Sequence, residues 1–108
     1  MVKTLYEVCD ELKITRRMVQ GYEKAGLVSP FGRNKYGHLL YDEECVERIR
    51  LVRFYQQMGF HLKEISGLID APNDEKKSIL SERVAMLESE HKEMQMIICR
   101  AKEYILTL

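Results

Sequence analysis

Thr15, Arg16, Arg17 and Gln20 open the segment TRRMVQGYEKAGLVSP, and their side chains are of the kind that make paired, planar hydrogen bonds. An arginine fork matches two acceptors on the edge of guanine, and a glutamine amide matches adenine in the same way. Thr15 can cap a helix and also touch a phosphate. The position of the arginines carries a local cost. A cation in the first turn of a helix opposes its dipole by about 0.3–1 kcal/mol. Arg16 and Arg17 therefore call for a counter-charge that the helix itself does not supply.

The surrounding charge points the same way. The 108-residue chain is neutral overall, with 17 basic and 17 acidic residues. From Lys13 to Lys35, however, stand six basic residues (Lys13, Arg16, Arg17, Lys24, Arg33, Lys35) and one acid, Glu23. A neutral chain with such a segment can present a basic face. The composition, 45% hydrophobic and 31% charged, is that of a folded globular chain of one domain, or one small domain with an appendage. No apolar run approaches the length of a transmembrane helix, and no signal-peptide pattern opens the chain, so a cytoplasmic location is expected. Cys9, Cys45 and Cys99 are far apart and lack metal-ligand spacing. They are expected to be reduced core-filling thiols, with no metal or cofactor. No catalytic Ser/His/Asp or Cys/His arrangement and no phosphate-binding glycine loop is evident, so no enzymatic activity is expected.

Helices must position these residues. Thr4 to Glu7 fits a capping box at the start of a first helix, with Leu5, Val8, Cys9 and Leu12 on one face. Thr15 caps a second helix whose inner stripe is Met18, Val19, Tyr22 and Ala25, ending at Gly26. About two residues join them, as in a helix-turn-helix. Gly21 is unfavourable inside a helix by about 1 kcal/mol relative to Ala. It would let either DNA or the first helix approach the backbone closely. Next, Leu27-Val28 and His38-Leu39-Leu40-Tyr41 flank a turn-rich stretch and predict a two-stranded hairpin with a basic tip, Arg33 and Lys35. Asp42 caps a third helix with Val46, Ile49, Val52, Tyr55 and Met58 inward, and a short fourth helix spans roughly Leu62 to Ile69.

The last 36 residues, Asn73 to Leu108, contain neither Gly nor Pro. A continuous helix there would be roughly 50 Å long, more than a small domain can cover. Leu80, Val84, Leu87, His91, Met94, Ile98, Ala101, Ile105 and Leu108 alternate steps of four and three, a heptad seam with one polar member. The seam predicts pairing with a second copy. His91 can fix register, respond to pH, or simply be tolerated there.

Together these segments resemble the MerR family of bacterial transcription regulators. ITRRMVQGYEKAGLV is similar to the family's recognition helix, with landmarks at Tyr22-Glu23 and Gly26-Leu27. YGHLLYDEE is similar to its wing exit, and MGFHLKEI to the start of its second helical pair. The fold class implied is mainly α: a winged helix-turn-helix DNA-binding domain at 1–70, a linker at 71–75, and a dimerisation helix at 76–108 that forms an antiparallel coiled coil. The resemblance implies a recognition helix in the major groove, a wing along the backbone and Tyr22 near a phosphate. Many members carry Arg-Tyr-Tyr where this chain has Gln20-Gly21-Tyr22, and Gly-Tyr-Arg where it has Gly37-His38-Leu39. The usual wing arginine is thus absent, and Arg33, Lys35 or His38 is a candidate to replace it. Arg53 and Lys63, in the second helical pair, are candidate phosphate contacts or plain solvated charges.

The expected function is that of a homodimeric, sequence-specific regulator on a near-palindromic operator in double-stranded DNA. Distortion of promoter DNA that lets RNA polymerase engage is the mechanism the resemblance implies. No recognisable effector site is present, so a short variant of the family is expected. The alternative is a module impaired in DNA binding that pairs with another regulator through its long helix.

Overall fold

The computed structural model describes residues 1–108 and divides into two units, Met1–Asp70 and Ala71–Leu108. The first unit opens with strand β1 (Lys3–Thr4) and helix α1 (Leu5–Leu12), followed by α2 (Arg16–Lys24). Strands β2 (Gly32–Arg33) and β3 (Leu39–Tyr41) precede α3 (Glu43–Gln57) and α4 (Leu62–Leu68).

The helix starts follow from their caps. The Thr4 hydroxyl accepts from the Glu7 N–H at 3.3 Å, while the Glu7 carboxylate accepts from the Thr4 N–H at 3.1 Å. Thr15 accepts from the Met18 N–H at 3.1 Å, and Asp42 from the Cys45 N–H at 2.8 Å. Each cap satisfies an N–H that the first turn leaves without an intrahelical partner. At the end of α2, Gly26 takes φ +76°, and the Leu27 N–H reaches back to the Tyr22 carbonyl at 3.0 Å. Glycine suits this left-handed position, and the turn drives Leu27 into the core.

Val8, Val19, Tyr22, Tyr41, Ile49, Val52 and Ile65 are the largest fully buried side chains, one or more from each of α1, α2, β3, α3 and α4. The inward stripe expected on α3 is buried throughout, from Val46 to Met58.

The sheet differs from the expectation in two ways. Leu27 and Val28 form no strand but plug the core at 2% and 3% exposure. The strand opposite β3 is instead Gly32–Arg33, with Arg33 paired to Leu39 and Gly32 to Leu40. The cause is the turn at Asn34, whose side chain accepts from the backbone N–H of Tyr36 at 2.9 Å and of His38 at 3.0 Å. That closure is too tight to place Leu27-Val28 opposite β3. The sheet also has a third strand, since Lys3–Thr4 pairs with Tyr41 and Leu40, giving the order β1-β3-β2. Two residues with no alternating pattern leave no strand signal in the sequence.

Tyr41 joins this sheet to α2. Its ring is fully buried, and its hydroxyl donates to the Glu23 carboxylate. Burial pushes the phenol far above its ordinary range, and the hydrogen bond to Glu23 adds to the shift. On α3, Arg48 donates to the Leu27 carbonyl and holds Asp70 with two N–H···O bonds at 3.1 and 3.2 Å.

The second unit is the single helix α5 (Asn73–Leu106), 34 residues that bury no side chain. It begins earlier than the expected boundary: of the proposed linker 71–75, only Ala71 and Pro72 lie outside the helix. Pro72, at φ −58° and ψ 150°, stands at the N-cap, and Asp74 and Glu75 favour the dipole of the first turn. Along the expected seam, Val84 is 43% exposed, Met94 56%, Ile98 40% and Ile105 62%. No helix is long and apolar enough to cross a membrane.

Tyr41→Phe leaves the Glu23 carboxylate without its phenolic donor. It is expected to lower stability by about 1–3 kcal/mol, seen as a reduced urea midpoint with an unchanged slope. A midpoint equal to that of the wild type would show that the pair contributes nothing.

Candidate nucleic-acid interface

The cations of the first unit sort into two sets. Of the eleven Lys and Arg residues between 1 and 70, four are paired with carboxylates: Lys3 with Glu11 at 2.7 Å, Lys13 with Asp10 at 3.8 Å, Arg48 with Asp70 at 3.1 Å and Arg50 with Glu47 at 3.2 Å. None of the other seven (Arg16, Arg17, Lys24, Arg33, Lys35, Arg53 and Lys63) lies within ion-pair distance of an acid. Six of these seven are the cations that the sequence nominates. Lys24 is the addition. It lies seven residues after Arg17 and so shares the exposed face of α2 with Arg17 and Gln20.

Glu23, the one acid of the basic segment, forms no salt bridge with these cations, and its carboxylate accepts from Tyr41. Arg16 and Arg17 remain exposed at the N-terminus of α2 beside the Thr15 cap. Gly21 lies one turn further on. A Cβ placed there would meet nothing within 4 Å. This removes close packing against α1 as the reason for the glycine and leaves its face open.

The hairpin supplies the second group. Arg33 donates to the Gly37 carbonyl at 2.6 Å across the turn. Gly37 takes φ +81°, a conformation that favours glycine, and the Asn34 side chain fixes the N–H groups on either side of it. Lys35 lies 5.1 Å from the centre of the Tyr36 ring, and Tyr36 lies 6.3 Å from His38. Arg33 and His38 share an open cleft of about 460 Å³ with Arg16 and with the start of α1, Thr4 to Tyr6. The fold thus brings Arg16, Arg33 and His38 together from three elements distant in sequence. Lys63 is exposed on α4, and Arg53 lines a separate cleft with Lys13, Arg50 and Phe54.

Tyr22 is a correction. It is 1% exposed, and its hydroxyl donates to the Gln56 side chain at 2.6 Å. Burial pushes its phenol above the ordinary value, with the nearby Arg53 charge opposing. Tyr22 sits on the inner stripe of α2 with Val19, and its one polar atom is already engaged. It supports the helix and offers no surface to a phosphate.

Burial also pushes the thiols of Cys9 and Cys45 up, opposed at Cys9 by Arg16. The Cys45 thiol donates to the Ser29 carbonyl at 3.1 Å. Protonated thiols of this kind are poor nucleophiles and poor ligands. No three His, Cys, Asp or Glu side chains converge where a metal could bind.

Exposed cations without carboxylate partners on a helix-turn-helix and an adjoining hairpin define a class: a small helical winged domain with one basic face. The chain matches the family description "MerR HTH family regulatory protein" over residues 4–72 and "MerR, DNA binding" over 46–102. It belongs to the MerR family of HTH regulatory proteins. The HTH-type transcriptional activator mta of Bacillus subtilis is 26% identical over 92 residues, which covers 85% of this chain and 36% of that protein. The HTH-type transcriptional regulator CueR of Salmonella typhimurium is 30% identical over 95 residues, covering 82% and 69% respectively. The chain spans about a third of the length of the activators mta and TipA. The fold is shared with HiNmlR, a MerR family regulator lacking the sensor domain, whose structure is bound to promoter DNA. The TM-score is 0.77 at 19% identity, over 91% of this chain and 79% of that one.

Two substitutions within α2 are expected to move stability in opposite directions. Tyr22→Phe should cost about 1 kcal/mol by stripping Gln56 of its buried donor. Gly21→Ala should add up to about 1 kcal/mol, because the helix gains propensity and meets no clash. Urea denaturation of the two variants checks both. Destabilisation by Gly21→Ala would mean that the glycine serves the fold after all.

Proposed function

We propose that this protein is a DNA-binding transcriptional regulator that acts in the cytoplasm as a homodimer on a near-palindromic operator in double-stranded DNA. The observation that carries the reading is the segregation of its cations. Those facing acids are already neutralised, and five of the seven unpaired ones lie on α2 and the hairpin, with Arg53 on α3 and Lys63 on α4. Phosphates supply the missing counter-charge and most of the affinity, while base edges supply specificity. In this docking α2 enters the major groove, with Arg17 and Gln20 facing base edges and Thr15 and Arg16 near the backbone. Arg33, Lys35 and His38 of the hairpin, with Arg53 and Lys63 beyond it, meet phosphates. The protein HiNmlR, with the same fold, is itself bound to promoter DNA. Bending or untwisting the operator, at a cost of several kcal/mol, would present a promoter to RNA polymerase.

The dimer reading rests on α5. Its heptad seam, Leu80, Val84, Leu87, His91, Met94, Ile98, Ala101 and Ile105, belongs to a helix with no fully buried side chain; Leu80 and Leu87 are half-buried and the other six are exposed. A second α5 in antiparallel register would cover it and set two recognition helices against one two-fold operator.

Selection from random duplexes is expected to enrich a two-fold symmetric site, with affinity falling roughly 10³–10⁵ between 50 and 200 mM salt for about 6–10 phosphate contacts. Arg17→Ala should relax preference at one base position by about 1–3 kcal/mol. A uniform loss over all sequences would instead assign Arg17 to phosphate. Failure to enrich any duplex, together with tight binding to another regulator, would establish the interaction module in place of DNA binding.

The dimer has a separate test. Replacing Leu87 and Ile98 together by Asp should give a monomer in analytical ultracentrifugation. A dimer that survives both charges would refute the seam.

A further inference from the structure

The cleft between α1, α2 and the hairpin holds one imidazole, that of His38. Arg16 comes from the start of α2, Arg33 from β2, and His38 from the residue after the turn glycine; Thr4, Tyr6 and Leu39 complete the walls. The charged and titratable groups facing His38 can be named element by element. They are Arg16 from α2, Arg33 from β2, Tyr36 from the turn with Lys35 over its ring, and Tyr6 from α1. The nearest acid in sequence to this wall is Glu7, and its carboxylate is engaged by the Thr4 N–H and hydroxyl, each at 3.1 Å. No carboxylate lines the cleft. The His38 backbone is fixed by Asn34, and only one N–H of Arg33 is engaged by the Gly37 carbonyl. The imidazole is exposed and makes no hydrogen bond of its own.

We propose that this cleft seats one phosphate of the DNA backbone between Arg16, Arg33 and His38, and that seating it takes up a proton on His38. This rests on the DNA-binding reading given above. Three donors converge on an open space of about 460 Å³ with no competing anion. Two of them are permanent cations. The third is the one side-chain type that ordinarily changes charge between pH 5 and 8. A phosphate against the imidazole favours the protonated ring, which donates a charge-assisted hydrogen bond. The sign of the linkage follows. The complex holds more protons than the free components, so DNA affinity rises as pH falls and declines as pH rises. His38 thereby makes the hairpin's grip on DNA pH-dependent, where an arginine would make it constant.

The test is calorimetry of the full chain with a mixed-sequence DNA duplex at about 50 mM salt, in two buffers of different ionisation enthalpy, between about pH 6 and pH 8. The wild type is expected to take up protons on binding and to bind roughly fivefold more tightly at the lower pH, the difference between a charge-assisted and a neutral hydrogen bond. His38→Gln should abolish the proton uptake and flatten the profile near the weaker, high-pH affinity. His61→Gln, on exposed α4's N-cap, should leave both unchanged. DNA binding with no proton uptake, or uptake that persists in His38→Gln, overturns this proposal and leaves the DNA-binding reading standing. No duplex binding at any pH overturns both.

Discussion

The phenol of Tyr41 donating to the carboxylate of Glu23 is the constraint on which the rest of the first unit depends. It ties β3, the central strand of the sheet, to α2 through a ring that is fully buried. Burial and the adjacent carboxylate both keep this phenol protonated well beyond neutral pH, so it remains a donor. The hairpin that extends from β3 is therefore oriented by the same contact that orients the exposed face of α2. The β1–β3 pairing and the buried Tyr41 ring hold the same strand against the helices.

Glu23 is the only acid between Lys13 and Lys35. It stands seven and six residues from Arg16 and Arg17 and next to Lys24, outside the spacing that favours ion pairs along a helix, and its carboxylate accepts from Tyr41. Elsewhere in the unit Glu11, Asp10, Asp70 and Glu47 are matched to Lys3, Lys13, Arg48 and Arg50. A chain of zero net charge thus presents a basic face on α2 and the hairpin, where no cation lies within ion-pair distance of an acid.

The helices were legible in the sequence because capping and apolar periodicity are local signals. Thr4, Thr15 and Asp42 each announced a helix start, and each side chain accepts the N–H that its position demands. The stripe from Val46 to Met58 is buried as its spacing requires. What failed was non-local. Leu27 and Val28 are as β-friendly as the strand they were assigned to, but tertiary burial decides their fate, while the polar Asn34 sets the register of the hairpin. Lys3–Thr4 becomes a strand only because β3 offers it an edge. Tyr22 carries both an aromatic face and a hydroxyl. Nothing nearby in sequence reveals that Gln56, 34 residues away, takes the hydroxyl. The candidate interface was legible as a charge imbalance, but the convergence of Arg16, Arg33 and His38 on one cleft required the fold.

The remaining departures from good local design cluster on α2 and the hairpin. Two arginines oppose the dipole at the start of α2, a glycine weakens the middle of the same helix where a Cβ would meet nothing, and the five cations of these two elements lie beyond ion-pair distance of any acid. In a sequence shaped by folding alone, local choices agree with the global structure, and conflicts gather where something other than stability is being served. The proposed docking relieves these conflicts together. In that reading a polyanion laid across α2 and the hairpin would supply the counter-charge for Arg16 and Arg17, lie in the open space beside Gly21 and pair the cations of that face.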